Sequence, residues 1–279
     1  NLDWGQAYAG EARHKIDWLY GINLSRALMS AIKRTGSFKI LSIGRVQGPA
    51  LKIIVDRERE ISSFKPETYW QVFALVNGHN FKHPKDIFDK NELKKFDGIK
   101  NGIAETKEFE EKIEPLHPFD LTTLQREAYR VHKISPSQTL VISQKLYLDG
   151  LISYPRTSSQ KIPLSIEPKK ILKSLERDFP LAKEAKRAKP VEGKKSDPAH
   201  PSIFPTGEFK KMEGNEKKIY DLIVNRFISV FSADAVTSNK KVKICAEENK
   251  EIIFTDSGLK IKEKGWTKVY PADLEERDV

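Results

Sequence analysis

The spacing of apolar positions changes along the chain from helical to alternating, back to helical, and again to alternating. Residues 1 to about 62 read as helices. Ala12, Ile16, Leu19 and Tyr20 share one stripe, and a second helix is expected after Asn23 with Leu24, Ala27, Leu28 and Ala31 inward. A third begins near Pro49, tolerated only in a first turn, and is expected to bury Val46, Ala50, Ile53, Ile54 and Ile61. From Phe64 the pattern shortens. Tyr69 to Val76 and part of Gly102 to Ile113 predict strands, with a polar excursion over Lys82 to Lys100. Alternation returns at Val242, Ile244 and Ala246, then at Ile252 to Phe254, before an expected turn at Asp256-Ser-Gly258 and a further run through Leu259 and Ile261. Two strand blocks this small predict one β domain, 63–118 plus 233–270, split by an insertion.

The insertion, 119–232, reads as helical. Thr122 with Gln125 predicts one capping box and Ser135 with Gln138 another, with Pro136 at the first helical position. The first helix ends near His132 and the second runs from Pro136 to Asp149, which is helix-turn-helix spacing. Leu140, Val141 and Leu148 are expected to be its buried face, and a strand over Leu151 to Ser153 follows as in a winged helix. Ile219, Leu222, Ile223, Phe227 and Val230 make a closing helix.

The chemistry concentrates after Gly150, in Leu-Ile-Ser-Tyr-Pro-Arg-Thr-Ser158. In an extended segment Tyr154 and Arg156 leave the backbone on the same side. A phenolate can attack phosphorus, and a guanidinium favours that charged form and grips phosphate oxygens. The alternative for Tyr154 alone is a ring that only packs. Three prolines fix a loop around His200, which could donate to a phosphate or could equally be an inert loop histidine. Gly44 to Gly48 lie at a helix start, where free N–H groups suit a phosphate flanked by Arg45 and Gln47, or else form an ordinary helix entrance. Lys183 to Lys195 reads as a mobile basic loop suited to a polyanion.

Composition sharpens this. The chain has 279 residues, with 49 Lys and Arg against 39 Asp and Glu, so its net charge of +10 favours a polyanionic partner. Cys245 is the single cysteine, which excludes an internal disulfide and any multi-cysteine zinc site. No apolar run is long enough to span a membrane. The opening at Asn1 and the close at Leu274-Glu-Glu-Arg-Asp-Val279 lead us to expect a fragment.

Several stretches together resemble the type IA DNA topoisomerases, the archaeal enzymes in particular. They are Leu41-Ser-Ile-Gly-Arg-Val-Gln-Gly-Pro with Arg57-Glu-Arg-Glu-Ile, Pro118-Phe-Asp-Leu-Thr-Thr-Leu-Gln, and Gly150-Leu-Ile-Ser-Tyr-Pro-Arg-Thr. Asp197-Pro-Ala-His-Pro-Ser-Ile-Phe-Pro-Thr and Gly265-Trp-Thr-Lys-Val-Tyr-Pro complete the set, in family order. The resemblance implies an α+β multidomain fold, part of a toroid. Residues 1–62 would belong to the single-strand-binding domain, the split β domain would be a hinge, 119–232 a winged-helix-like lid, and 271–279 a return to the helical domain. It implies that Tyr154 takes a 5′-phosphate, with Arg156 and His200 as its catalytic companions. It further implies DNA contacts from Arg13, Arg45, Gln47, Thr157 and Lys194, and a cytoplasmic, nucleoid-associated enzyme acting on single-stranded and negatively supercoiled DNA.

The resemblance also implies a departure. The family's Toprim domain carries an Asp-x-Asp-x-Glu cluster that holds Mg²⁺, with a glutamate and a lysine for proton transfer, and no such cluster occurs here. Asp273, Glu275 and Glu276 do not fit it. Ser158 stands where bacterial relatives tend to carry an acid. The isolated chain is therefore expected to bind DNA without acting alone. Two other classes stay open from the residues themselves: a non-catalytic winged-helix DNA-binding protein, and a type IB or recombinase-like enzyme linking tyrosine to a 3′-phosphate. A reverse-gyrase half is a variant of the main reading.

Overall fold

Alternating residues on both sides of the insertion meet in a single antiparallel sheet. A computed structural model describes residues 3–279 and divides into two bodies, Asn1–Thr68 and Tyr69–Val279. The strands of the second body are β1 (Phe73–Val76), β2 (His79–Lys82), β3 (Gly102–Ile113), β4 (Ala235–Ala246) and β5 (Ile253–Glu263), in the order β1-β2-β5-β4-β3. β3 pairs with β4 along its whole length, from Gly102 opposite Ala246 to Ile113 opposite Ala235. The sheet thus joins chain segments that flank residues 114–234. Val242, Ile244, Ala246 and Phe254 point to one face and pack with Phe81, Ile252 and Val279.

The expected turn at Asp256-Ser-Gly258 does not form. Those residues continue the ladder opposite Val242, Lys241 and Lys240. The glycine serves close approach: a Cβ on Gly258 would lie 2.8 Å from the Arg277 carbonyl oxygen. There the C-terminal segment crosses the strand, and Leu259 and Arg277 exchange backbone hydrogen bonds of 2.8 and 3.0 Å.

Within residues 114–234 lie α3 (Leu121–His132), α4 (Pro136–Leu148), α5 (Pro168–Leu175) and α6 (Gly214–Ser229). In the first body lie α1 (Trp4–Arg34) and α2 (Gln47–Ser63). The cap of α3 is Asp120 rather than Thr122, and its carboxylate accepts from Thr123 N–H at 2.7 Å. Ser135 caps α4 as expected, accepting from Gln138 N–H at 3.3 Å, with Pro136 in the first turn. The buried face of α4 is Thr139, Ser143 and Leu146; Val141 and Leu148 are exposed. Polar residues occupy that face because they satisfy themselves locally. The Thr139 hydroxyl donates to the Ser135 carbonyl at 2.9 Å and the Ser143 hydroxyl to the Thr139 carbonyl at 2.8 Å. A pattern read from apolar residues alone rotates the helix wrongly.

The main core gathers α3, α4, α5 and α6 with Trp266, Val269 and Tyr270 from beyond β5. Gly265 turns the chain back into this core at φ +47°, and a Cβ there would come within 2.1 Å of the Asp234 carbonyl oxygen. The Trp266 indole then donates to the Ile113 carbonyl at 2.9 Å. At the centre is Arg226, only 2% exposed. Its guanidinium lies 4.4 Å from the Phe119 ring centre and 4.1 Å from that of Tyr270. It donates to Glu127 at 3.1 Å and to the His117 carbonyl at 3.3 Å. Glu127 also accepts from the Tyr270 hydroxyl at 2.6 Å and from Arg130 at 2.9 Å.

The segment from Lys183 to Lys195 is not a free loop. Arg187 N–H donates to the Phe231 carbonyl at 2.8 Å, Val191 N–H to the Val230 carbonyl at 2.9 Å, and Gln160 N–H to the Lys195 carbonyl at 2.9 Å. These backbone bonds hold it against the end of α6.

In the first body, α1 runs unbroken through Asn23, so the two expected helices are one. α2 starts at Gln47 with Pro49 in its first turn. Neither helix buries a residue: Val46, Ile53, Ile54 and Ile61, expected inward, are exposed. The periodicity is real, but no described residue covers that stripe. Among the described residues no helix is long and apolar enough to cross a membrane.

Burial alone opposes ionisation of Glu127, yet hydrogen bonds from Arg130 and Tyr270 and the charges of Arg226 and Arg130 outweigh it and hold the carboxyl below its ordinary range. A depressed carboxyl stabilises the fold above its unfolded pKa of about 4.3, and that contribution is lost as pH falls through the lower folded value. Glu127→Gln is expected to flatten the acid limb of a denaturation profile taken below about pH 4.3 and to lower stability at neutral pH. Arg226→Met should cost about 3 kcal/mol, since it leaves a buried carboxylate short of a partner. Urea melts at pH 7 and at pH 3 measure both.

Candidate functional site

The stretch after Gly150 is held by its neighbours rather than by strand pairing. Gly150 ends α4 at φ +75°, a left-handed conformation that suits glycine. Ile152 then makes a single bridge to Pro205, so the expected strand over Leu151 to Ser153 reduces to that contact. Three further bonds lace the segment to the loop that follows His200. Ser153 N–H donates to the Phe204 carbonyl at 2.9 Å, Phe204 N–H returns to the Ser153 hydroxyl at 3.0 Å, and that hydroxyl donates to the Ser202 carbonyl at 3.0 Å. Thr206 adds a hydroxyl bond to the Gly150 carbonyl at 2.7 Å.

This lacing brings Tyr154 and His200 together, with ring centres 4.7 Å apart. On its other side Tyr154 meets Tyr147 of α4 edge-on at 5.3 Å. The phenol is half-buried between two rings. Arg156 is exposed and makes no hydrogen bond or ion pair among the described residues, so its five donors face solvent. Tyr154 is thus held in place, and Arg156, two residues on, is unengaged.

Asp197 sets the far side of the site. Its carboxylate accepts from Ala199 N–H at 2.9 Å and His200 N–H at 3.2 Å, and from the Ser158 hydroxyl at 3.4 Å. The Ala199 N–H leads the contacts that hold its carboxyl below the usual range. The His200 ring nitrogen Nδ1 lies 3.9 Å from the same carboxylate. Ser158 is thus a local tie, and Asp197 fixes the turn that presents His200.

Thr157 is buried. Its hydroxyl accepts from Ser159 N–H at 3.0 Å and faces the His200 carbonyl at 3.4 Å, while its own carbonyl accepts from Leu121 N–H at 3.0 Å. These bonds make it a strut between the site and the start of α3. Asp120 extends the strut, accepting from the Gln160 amide at 2.8 Å. Burial opposes its ionisation, but the bonds from Thr123 and Gln160 and the Lys195 charge prevail and hold its carboxyl low. Lys194 is exposed on the tethered segment beside it.

The remaining candidates share the first body. Arg45 donates to Asp17 at 2.6 Å, and Arg13 approaches the same carboxylate at 3.7 Å. The Arg45 bond is the main cause of the lowered pKa of Asp17. Ile43 N–H donates to the Ser25 hydroxyl at 2.9 Å, fixing the approach to α2, where Gln47 is the first helical residue. Arg13, Arg45 and the start of α2 therefore form one cluster.

The sequence reading missed Ser153, Asp197 and Tyr147. Asp197-Pro198 carried a turn signal, but nothing in one sequence marks Tyr147 as the neighbour of Tyr154. For magnesium, no three His, Cys, Asp or Glu side chains cluster among the described residues. Two of the three tail carboxylates are otherwise engaged: Asp273 with Arg130 at 2.8 Å and Glu276 with Ile261 N–H at 2.9 Å. These residues do not fit a magnesium site.

The family model described as DNA topoisomerase matches residues 1–279. The chain belongs to the type IA DNA topoisomerase family. DNA topoisomerase 1 of Pyrococcus horikoshii is 45% identical over 96% of the chain, and that of Methanocaldococcus jannaschii 44% identical over 96%. The chain covers 42% and 37% of those relatives, so it spans well under half their length. The full-length topoisomerase I of Thermotoga maritima superposes with a TM-score of 0.76 at 28% identity, over 100% of this chain and 48% of that one. Membership in this family sets aside the type IB and recombinase-like reading.

Ser153→Ala removes the hydroxyl that bonds both Phe204 and Ser202. It is expected to cost about 1–2 kcal/mol of stability and to loosen the His200 loop, read as faster amide exchange at Phe204.

Proposed function

We propose that Tyr154 is the nucleophile of a type IA topoisomerase, cleaving one DNA strand through a 5′-phosphotyrosine, allowing strand passage and resealing. The observation that carries this reading is the Tyr154 ring fixed against His200 at 4.7 Å with the unengaged Arg156 two residues away. The Tyr154 oxygen bonds to phosphorus as the bond from phosphorus to the 3′-oxygen breaks. The phenolic proton leaves, and the 3′-oxygen gains one. One ester replaces another, so resealing needs no external energy. A hydroxyl is a weak nucleophile until its proton is taken, so the attack requires a base. Arg156 neutralises charge on the non-bridging oxygens, and His200 offers a further donor.

The acid, the base and the metal are assigned to a Toprim domain in the complete enzyme, where magnesium would place the broken ends. Within this chain we assign 1–62 to a single-strand-binding domain, with Arg13, Arg45 and Gln47 meeting the DNA backbone, and Lys194 of the segment 119–232 adding a further contact. The sheet segments 63–118 and 233–270 serve as a hinge for a winged-helix-like lid over 119–232. Residues 271–279, expected to return to the helical domain, instead lie along the sheet, where Arg277 bridges Leu259 and Val279 joins the apolar cluster. The substrates are single-stranded and negatively supercoiled DNA, in a cytoplasmic, nucleoid-associated setting.

Trapping on end-labelled single-stranded oligonucleotide, with a separately made Toprim-bearing piece added, tests the assignment. The label is expected on Tyr154 at a 5′-phosphate. Tyr154→Phe should abolish cleavage and spare DNA binding, because only the attacking oxygen is lost. Arg156→Ala should slow cleavage by about 10² or more, and Arg156→Lys should recover part of it, since an ammonium cannot hold two phosphate oxygens in a planar fork. A label on another tyrosine, or at a 3′-phosphate, would sink the reading.

The chain alone is expected to bind single strands with a log–log salt slope of about −0.7 per phosphate neutralised, and to leave supercoiled plasmid unrelaxed with or without magnesium. Plasmid relaxation by the isolated chain would show that it carries its own acid and base.

A further inference from the structure

A groove of about 360 Å³ opens between α5 and the segment after Pro180. Lys169 and Lys173 lie one turn apart on α5 and line one wall. Lys183 and Lys186 line the other. All four are exposed, and none makes an ion pair among the described residues. Glu176 is the only carboxylate in the lining. Arg187 also reaches the groove, but its guanidinium is held by Asp234 and by the Ser232 carbonyl. Like charges one turn apart oppose a helix; the helix dipole offsets this at Lys173 in the last turn, but Lys169, Lys183 and Lys186 have no such compensation. A polyanion would remove the repulsion.

The lining contains no aromatic side chain. Single-strand grooves combine positive charge with rings on which bases stack, and this one offers charge only. It also lacks the amide side chains that read base edges. What remains suits the sugar–phosphate backbone of a duplex, bound without regard to sequence.

We propose that the groove between α5 and residues 180–188 is a duplex-DNA backbone site, sharing no residue with the Tyr154 site. The proposal rests on the reading of the chain as an enzyme acting on DNA, and extends it: a duplex is held here while a single strand is cut elsewhere. The ties at Arg187 and Val191 keep the second wall in place, so the groove is preformed.

The test compares the 279-residue chain with the variant Lys169→Gln, Lys173→Gln, Lys183→Gln, Lys186→Gln. A control of equal charge carries Lys82→Gln, Lys107→Gln, Lys241→Gln and Lys243→Gln on the sheet. Fluorescence anisotropy follows a blunt duplex and a single strand of equal length across a salt series, after thermal melts establish that each variant folds. The groove variant should bind duplex at least about tenfold more weakly at low salt, with the salt slope shallower by about 0.9 for each phosphate no longer neutralised. Single-strand affinity should change little. Unchanged duplex binding, an equal loss for both DNA forms, or an equal loss in the control would overturn the proposal. So would tighter binding of polyglutamate than of duplex, which would assign the groove to an acidic protein. Failure of the trapping experiment at Tyr154 with this duplex result intact would remove the nucleophile and leave the groove standing.

Discussion

Arg226 is the constraint on which the second body depends. A buried guanidinium must be neutralised and hydrogen-bonded, or its desolvation outweighs what packing returns. Its partners come from three separated stretches: His117 and Phe119 where the chain leaves β3, Glu127 on α3, and Tyr270 beyond β5. The Nε atom has no hydrogen-bond partner among the described residues. Two ring faces within 4.4 Å supply electrostatic compensation instead. The start of the helical segment, its helix α3 and the closing motif are satisfied together or not at all. A hydrophobic contact would tolerate sliding; this network admits one arrangement.

That arrangement reaches the candidate site through α3. Its cap, Asp120, bonds Gln160, and its first residue, Leu121, bonds the carbonyl of Thr157. Both Thr157 and Gln160 lie just after Tyr154 in the chain. Glu127 lies two turns further along the same helix. The far end of the segment from Gly150 to Gln160 is therefore fixed to α3, which also carries Glu127 of the buried ion pair, while Ser153 pins its middle. Arg156 is left out of all these bonds. Rigidity is placed around Tyr154, and Arg156, two residues on, stays unengaged.

Much of this was legible in the sequence, for identifiable reasons. A strand within Gly102 to Ile113 was readable, although β3 fills the whole stretch, and α4 was readable because Ser135 and Pro136 mark a helix start with unambiguous chemistry. The face of α4 was not, since Thr139 and Ser143 are polar by name yet satisfied by their own helix. The continuous β5 was hidden by Gly258, whose role is to admit the crossing at Arg277, and a single sequence cannot distinguish that from a turn. Arg226 sits among the apolar residues of α6, and its aromatic and acidic partners lie too far away in sequence to suggest a pairing. Tyr154, Arg156 and His200 were found through motif resemblance; the 4.7 Å approach of the Tyr154 and His200 rings required the fold.

The first body reads differently, and the difference is physical. α1 and α2 have amphipathic spacing but bury nothing, with Ile53 at 72% and Ile54 at 59% exposure. Their local polar chemistry is nonetheless settled: Ser25 holds Ile43, and Asp17 holds Arg45. Arg45 therefore differs from Arg156, because a phosphate arriving at the start of α2 competes with a carboxylate 2.6 Å away. Such an exchange loses one ion pair as it gains another. Arg156 has no such competitor among the described residues.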